Sequence, residues 1–153
     1  METPLCRADY EPLAQIAREA IVDCVAKSTE EAEFLTADVL DSLKKWIMSG
    51  MPGYSMKFVL DGQDVGFVVV KEYWNLSHLF VLPAYQRRGI GRTLLDGAIS
   101  ACRDVCPRPE IQLNSSHFAA DFYRNHGFTA RGPELDRPGG CIPLELRYQE
   151  RKS

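Results

Sequence analysis

The 153-residue sequence predicts an α/β fold: one mixed β-sheet flanked by helices, in the order β-α-α-β-β-β-α-β-α-β-β. Three observations lead there. Apolar residues recur at helical spacing in several segments, and these segments alternate with short β-rich apolar runs. Asp61-Gly62-Gln63-Asp64 separates two such runs, which reads as a hairpin. The apolar segment Leu76–Leu82 meets Pro83, then a basic glycine turn, then an amphipathic helix. The length suits a single domain spanning 1–153, large enough to bury a core without disulfides or a structural metal.

The elements follow in order. Leu5–Ala8 reads as a short first strand. Glu11–Lys27 reads as a helix with Leu13, Ile16, Ala17, Ala20, Ile21, Cys24 and Val25 on one face. Thr29–Glu33 reads as an acidic connection. Thr36 then caps a second helix, to Met48, which Gly50-Met51-Pro52-Gly53 ends. Ser55–Leu60 and Val65–Lys71 are the hairpin strands. Pro83 cannot donate to a ladder, so the next strand stops before it. Ile90, Leu94, Leu95, Ala98 and Ile99 carry the following helix. After the rigid connector Cys106–Pro109, Ile111–Ser116 is a strand and His117–Phe128 a short helix. Ser115 or Ser116 suits its N-cap, and Gly127 suits its left-handed end. Thr129–Gly132 and Ile142–Tyr148 are the last strands. Periodicity alone leaves the strand order in the sheet open.

A net charge of −3 gives no basic field for nucleic acid. The arginines at 87, 88 and 92 form a local cluster, which suits a small anionic ligand. Five cysteines, with no C-x-x-C pair, read as free thiols in a reducing cytosol, with no metal site. The acidic Met1–Pro4 lacks the apolar region of a signal peptide, and no apolar run approaches membrane-spanning length. The expectation is therefore a cytoplasmic protein with neither nucleic-acid nor membrane partner.

Gly89 and Gly91 stand at a helix start, where backbone N–H groups lack partners and the macrodipole is positive. With Arg87, Arg88 and Arg92 they make an anion cradle, suited to a phosphate or pyrophosphate. The lysine-serine/threonine pair of a Walker loop is missing, as is the three-glycine dinucleotide fingerprint. Gln86-Arg87-Arg88-Gly89-Ile90-Gly91, in its strand-turn-helix setting, closely resembles the acetyl-CoA pyrophosphate loop of the GNAT N-acetyltransferase superfamily. The resemblance implies a GNAT-like fold, acetyl-CoA as co-substrate, and CoA contacts from Gln86 through Arg87, Arg88, Gly89, Ile90, Gly91 and Arg92 to Thr93. It also implies that a backbone N–H in the Phe80–Val81–Leu82 region binds the thioester carbonyl.

The segment from Asn114 to Phe128 resembles the distal motif of the same superfamily. Tyr123 falls where many members place the tyrosine that protonates the departing thiolate; the other reading is a core tyrosine. Asn114 and Ser116 fall where members hydrogen-bond the pantetheine arm. Many members carry asparagine at the position of Ser116, so which of the two makes that contact stays open.

Acetyl transfer to an amine needs a polarised carbonyl, a neutral amine and a protonated leaving thiolate. A tyrosine hydroxyl, with a pKa of about 10, is protonated at neutral pH and can donate. For the base, His78 stands on the strand leading into the loop, where members often place a base or an amine-binding group; it reads equally as a satisfied histidine of the sheet. Glu72, His117 and a water chain are the alternatives. Glu30, Glu31, Glu33, Trp46, Tyr54, Tyr73 and Trp74 are candidate linings for the acceptor, with Met51–Tyr54 at its entrance. The glutamates suit a cationic amine or form a solvated loop.

The functional expectation is an acetyl-CoA-dependent N-acetyltransferase acting on a primary amine of a small molecule or a peptide or protein. The alternative is a non-catalytic module of the same fold that binds CoA or acyl-CoA as a sensor or interaction partner. The resemblance leaves a homodimer, paired through the last strands, open.

Overall fold

A computed structural model describes residues 2–149. Strand β1 (Glu2–Pro4) leads through a 3₁₀ turn (Arg7–Asp9) into α1 (Tyr10–Ala20), which widens into a π turn (Ile21–Val25). There follow α2 (Thr29–Ser49), β2 (Gly53–Leu60), β3 (Gln63–Lys71), β4 (Asn75–Val81), α3 (Ile90–Cys102), β5 (Glu110–Ser115), α4 (Ala120–Asn125), β6 (Thr129–Ala130) and β7 (Ile142–Arg147). The order of strands and helices is the one the sequence predicts.

Several boundaries differ, each for a local reason. The first strand is Glu2–Pro4 and not Leu5–Ala8. The Cys6 N–H donates to Asp9 Oδ2 at 2.7 Å, which closes a tight turn where the strand was expected. Asp9 is buried and pairs with Lys57 at 2.7 Å, and Lys57 also reaches Asp64 at 3.2 Å. The acidic connection Thr29–Glu33 is the opening of α2: the Glu31 N–H donates to Ser28 Oγ at 3.1 Å, so Ser28 is the N-cap and Thr36 lies inside the helix. Glu30 and Glu31 sit in the first turn, where carboxylates oppose the positive end of the dipole. Gly50 ends the helix with φ +67°.

The β2–β3 hairpin turns on two residues, Asp61 (φ +51°) and Gly62 (φ +76°), both left-handed as a type I′ turn requires. Gln63 and Asp64, expected in the turn, belong to β3. Helix α4 is six residues long, shorter than His117–Phe128. Ser116 Oγ accepts the Ala119 N–H at 3.2 Å, one turn before the helix, whose own N-cap is Ala119. Strands β6 and β7 are each shorter than predicted.

The sheet runs β1-β2-β3-β4-β5-β7-β6. All pairings are antiparallel except β4 with β5. That parallel pair meets only at Asn75↔Gln112 and then parts, opening a wedge in the middle of the sheet. β3 is the most buried strand: Val65 through Val70 are all buried, with α1 and α3 both packed against it. Gly66 has no side chain, which lets Ile90 and Leu94 of α3 approach the strand closely. Opposite β3, the register of β4 shifts from Val69↔His78 to Val70↔Leu76, so Ser77 is an extra residue, a β-bulge.

Candidate active site

The wedge between β4 and β5 positions the site. At the C-terminal end of β4, the chain runs through Pro83–Tyr85 into the Gln86–Gly89 turn and then α3. Arg87 (φ +64°) and Gly89 (φ +82°) both take left-handed backbone, a sparsely populated conformation for an arginine. The turn is held from both sides. Gln86 Nε2 donates to Val81 O at 3.2 Å, and Cys24 Sγ of the π turn lies 3.5 Å from it. Thr93 gives both its N–H (3.0 Å) and its hydroxyl (2.9 Å) to Gly89 O. The Arg88 guanidinium lies 5.2 Å from the centroid of the Tyr85 ring. Arg87, Arg88 and Arg92 are exposed, and among the described residues none of them pairs with a carboxylate.

Next to this turn lies a groove of about 320 Å³. Leu79 and Val81 of β4 form one wall, Phe118, Phe122 and Tyr123 another, and Arg87, Gly89, Gly91 and Arg92 the end. A Cβ placed on Gly89 would meet nothing within 4 Å, and one on Gly91 would stand in the groove 3.6 Å from Phe122. The cradle is thus open, lined by helix-start N–H groups and flanked by unpaired cations, which fits a pyrophosphate. Ile90 is buried beneath it and supports the turn by packing.

A second cavity, of about 180 Å³, lies on the far side of the wedge. Leu79, Ala119 and Tyr123 line both spaces, so Tyr123 stands at their junction. Its ring packs edge-on against Phe122 and Phe128, at 5.4 and 5.6 Å between centroids. Burial pushes its hydroxyl above the ordinary phenolic range, so it stays protonated and able to donate. Asn114 and Ser116 both line the second cavity. Asn114 Oδ1 accepts from Arg131 at 2.7 Å, which leaves its amide N–H₂ as a donor. Ser116 Oγ already accepts the Ala119 N–H.

The wedge frees backbone groups on β4. Leu82 N–H donates to Val65 O at 2.8 Å and points towards β3. N–H directions alternate along a strand, so those of Val81 and Leu79 point away from β3, into the gap that β5 has left. Of the Phe80–Val81–Leu82 region expected to bind the thioester carbonyl, Leu82 is occupied and Phe80 shares its direction; Val81 alone faces the gap.

The base candidates are dispersed. His78 is buried and lines neither space. Its Nε2 lies 3.2 Å from Val39 O, which can only accept, so Nε2 carries the proton and Nδ1 accepts the Ser77 hydroxyl at 2.7 Å. Burial, together with Lys71, holds its pKa down at about 4. This is a histidine satisfied within the sheet, bonded to two residues of the second cavity's lining, Ser77 and Val39, and not itself part of that lining. Glu72 stands in the β3–β4 turn, at the opposite end of β4 from the glycine turn. His117 is half-exposed and pairs with Glu134, pinning the β6–β7 loop.

The expected acceptor lining is not assembled at Tyr123. Glu31 accepts the Lys27 N–H at 3.1 Å, and Glu33 borders a separate open groove between the π turn and α2. Trp46 packs over Gly53, and Trp74 stacks under Arg108 at 3.6 Å. Glu30, Tyr54 and Tyr73 also lie outside the second cavity. Its walls come instead from the π turn, α2, the bulge at Ser77 and Pro138–Gly140. Phe118 and Phe122, beside Tyr123 in sequence, were legible as neighbours of the motif; nothing in the sequence announces the bulge. Among the described residues, no cluster of three or more His, Cys, Asp or Glu is placed to hold a metal.

Comparison with known proteins agrees with this geometry. The family model of the acetyltransferase (GNAT) domain matches residues 15–142. The chain belongs to the GNAT acetyltransferase family. Among solved structures it resembles a GCN5-related N-acetyltransferase from Rhodopseudomonas palustris (20% identity, 97% of this chain and 95% of that one, TM-score 0.83). It also resembles the PaiA N-acetyltransferase of Thermoplasma acidophilum in complex with coenzyme A (23% identity, 97% and 98%, TM-score 0.78). A third is a GNAT family acetyltransferase from Brucella melitensis in complex with acetyl-CoA (21% identity, 100% and 90%, TM-score 0.66). No curated protein sequence matches significantly. No helix among the described residues is long and apolar enough to cross a membrane.

Proposed function

We propose that this chain is an acetyl-CoA-dependent N-acetyltransferase. The observation that carries the reading is the position of Tyr123, a buried and protonated hydroxyl at the junction of the glycine-turn groove and the second cavity. In this reading the pyrophosphate sits at Arg87–Thr93, with Gly89 and Gly91 admitting it and Arg87, Arg88 and Arg92 supplying charge. The pantetheine arm passes through the wedge, with Asn114 donating its amide. The Val81 N–H polarises the thioester carbonyl, and Tyr123 protonates the thiolate as it leaves. His78 acts at one remove, holding the Ser77 hydroxyl against the cavity.

Relatives seen with coenzyme A and acetyl-CoA support acetyl-CoA as the co-substrate. Five cysteines, none of them paired, fit a cytoplasmic setting. The test is calorimetric titration with acetyl-CoA, followed by measurement of free thiol release with a panel of amines. Binding without turnover on any amine would favour the non-catalytic CoA-binding module over the enzyme.

A further inference from the structure

We propose, resting on the acetyltransferase reading above, that the acceptor is a small aromatic amine, seated in the second cavity with its nitrogen uncharged. Most of the wall is apolar: Ile21 and Val25 from the π turn, Leu35 and Val39 from α2, Leu113 from β5, and Pro138 from the β6–β7 loop; the polar side chains in it, three serines and Asn114, are uncharged. Among the described residues no Asp, Glu, His, Lys or Arg lines the cavity, and Tyr123 is the one ionisable side chain there. An alkylammonium buried there would lack the partner that a buried charge requires. An alkylamine would enter only as its neutral form, about one molecule in 10³ at pH 7. No base stands in the cavity to improve that fraction, because His78 lies behind Ser77 and outside the lining. An aromatic amine avoids both problems. Its nitrogen lone pair is delocalised into the ring, so it is uncharged at neutral pH.

Size points the same way. A cavity of about 150 Å³ lined by Leu, Ile and Phe takes up benzene, and this one measures about 180 Å³. The ring fits there while the thioester lies at the Tyr123 junction, in the neighbouring groove. Of the polar side chains in the lining, Ser77, Asn114, Ser115 and Ser116, Ser77 is the one placed on β4 to orient the nitrogen. Ser77 gives its hydroxyl hydrogen to His78 Nδ1, so its oxygen is left to accept an amine N–H. The loop that closes the cavity packs closely: a Cβ on Gly139 would lie 3.0 Å from both Leu35 and Val25. In the step itself, the amine lone pair attacks the thioester carbonyl carbon and the C–S bond breaks. The thiolate takes the Tyr123 proton, and the surplus proton on nitrogen returns to the Tyr123 oxygen. The products are an N-aryl acetamide and the CoA thiol.

The experiment measures thiol release with 4-methylaniline, spermidine and a lysine-containing peptide, with acetyl-CoA binding followed separately by calorimetry. The aromatic amine should show the highest kcat/KM at pH 7, by at least about tenfold, and a profile flat between about pH 6.5 and 8.5. An alkylamine rate would rise about tenfold per pH unit. Leu35→Phe, which fills the cavity, should lower aromatic-amine turnover at least about tenfold and leave acetyl-CoA affinity unchanged. Preference for spermidine or the peptide, or full aromatic-amine turnover by Leu35→Phe, overturns the acceptor assignment alone. Failure to bind acetyl-CoA overturns the acetyltransferase reading and this inference with it.

Discussion

Gln86 reaches back to Val81, its side-chain amide donating to the strand's carbonyl oxygen at 3.2 Å. This bond fixes the glycine turn to the strand end that carries the Val81 N–H. Gln86→Ala removes this neutral hydrogen bond, about 0.5–1.5 kcal/mol, together with the weaker sulfur contact to Cys24. Thermal unfolding should shift down by a few degrees, and acetyl-CoA should bind about three- to tenfold more weakly. Unchanged affinity in calorimetry would show that the turn keeps its shape without the clamp.

The two glycines should behave differently. Gly89 holds φ +82°, so Gly89→Val forces a β-branched residue into left-handed backbone. It should cost at least about 1–2 kcal/mol of stability as well as CoA affinity. Gly91 lies within α3, and a Cβ there makes only ordinary contacts, at 3.6 Å to Phe122 and 3.7 Å to Val81. Gly91→Val should therefore fill the groove and lose CoA affinity at a smaller cost in stability than Gly89→Val. Equal CoA affinity in Gly91→Val and wild type would remove this groove as the binding place.

His78 makes stability depend on pH on the acid side. Its folded pKa is held down to about 4 against an ordinary 6.5, so the unfolded chain binds the proton first as pH falls. Stability is complete above about 6.5 and is lost as pH falls towards 4. The loss should be about 2 kcal/mol between pH 7.5 and 5. Denaturant titrations at both values should show it. In His78→Leu that part of the slope should vanish, although the variant is less stable throughout, because Val39 O and Ser77 lose their partner. A slope unchanged in His78→Leu would assign the acid sensitivity to other groups.

The order of elements and the glycine turn were legible because each rests on local chemistry: Pro83 stopping a strand, Gly89 and Gly91 opening a helix, Asp61-Gly62 turning a hairpin. The start of α2 was misplaced because Ser28 outcompetes Thr36 as a cap and its following glutamates resemble a solvated run. Tyr123 and the arginines were legible as motif positions. The acceptor cavity was not, since it is assembled from the π turn, α2, a bulge and a distant loop. The same holds for the wedge, which depends on a single parallel pair, Asn75↔Gln112, between strands far apart in the chain.

Tyr123→Phe isolates the proton donor, read by single-turnover thiol release from enzyme-bound acetyl-CoA with a saturating amine. Phenylalanine keeps the ring packed between Phe122 and Phe128 and removes only the hydroxyl. The chemical step should slow by about 10²–10⁴-fold, the usual worth of a positioned proton donor, with acetyl-CoA affinity and melting temperature held. A chemical step at the wild-type rate would rule out proton donation by Tyr123, leaving it as a packing residue and water as the proton donor.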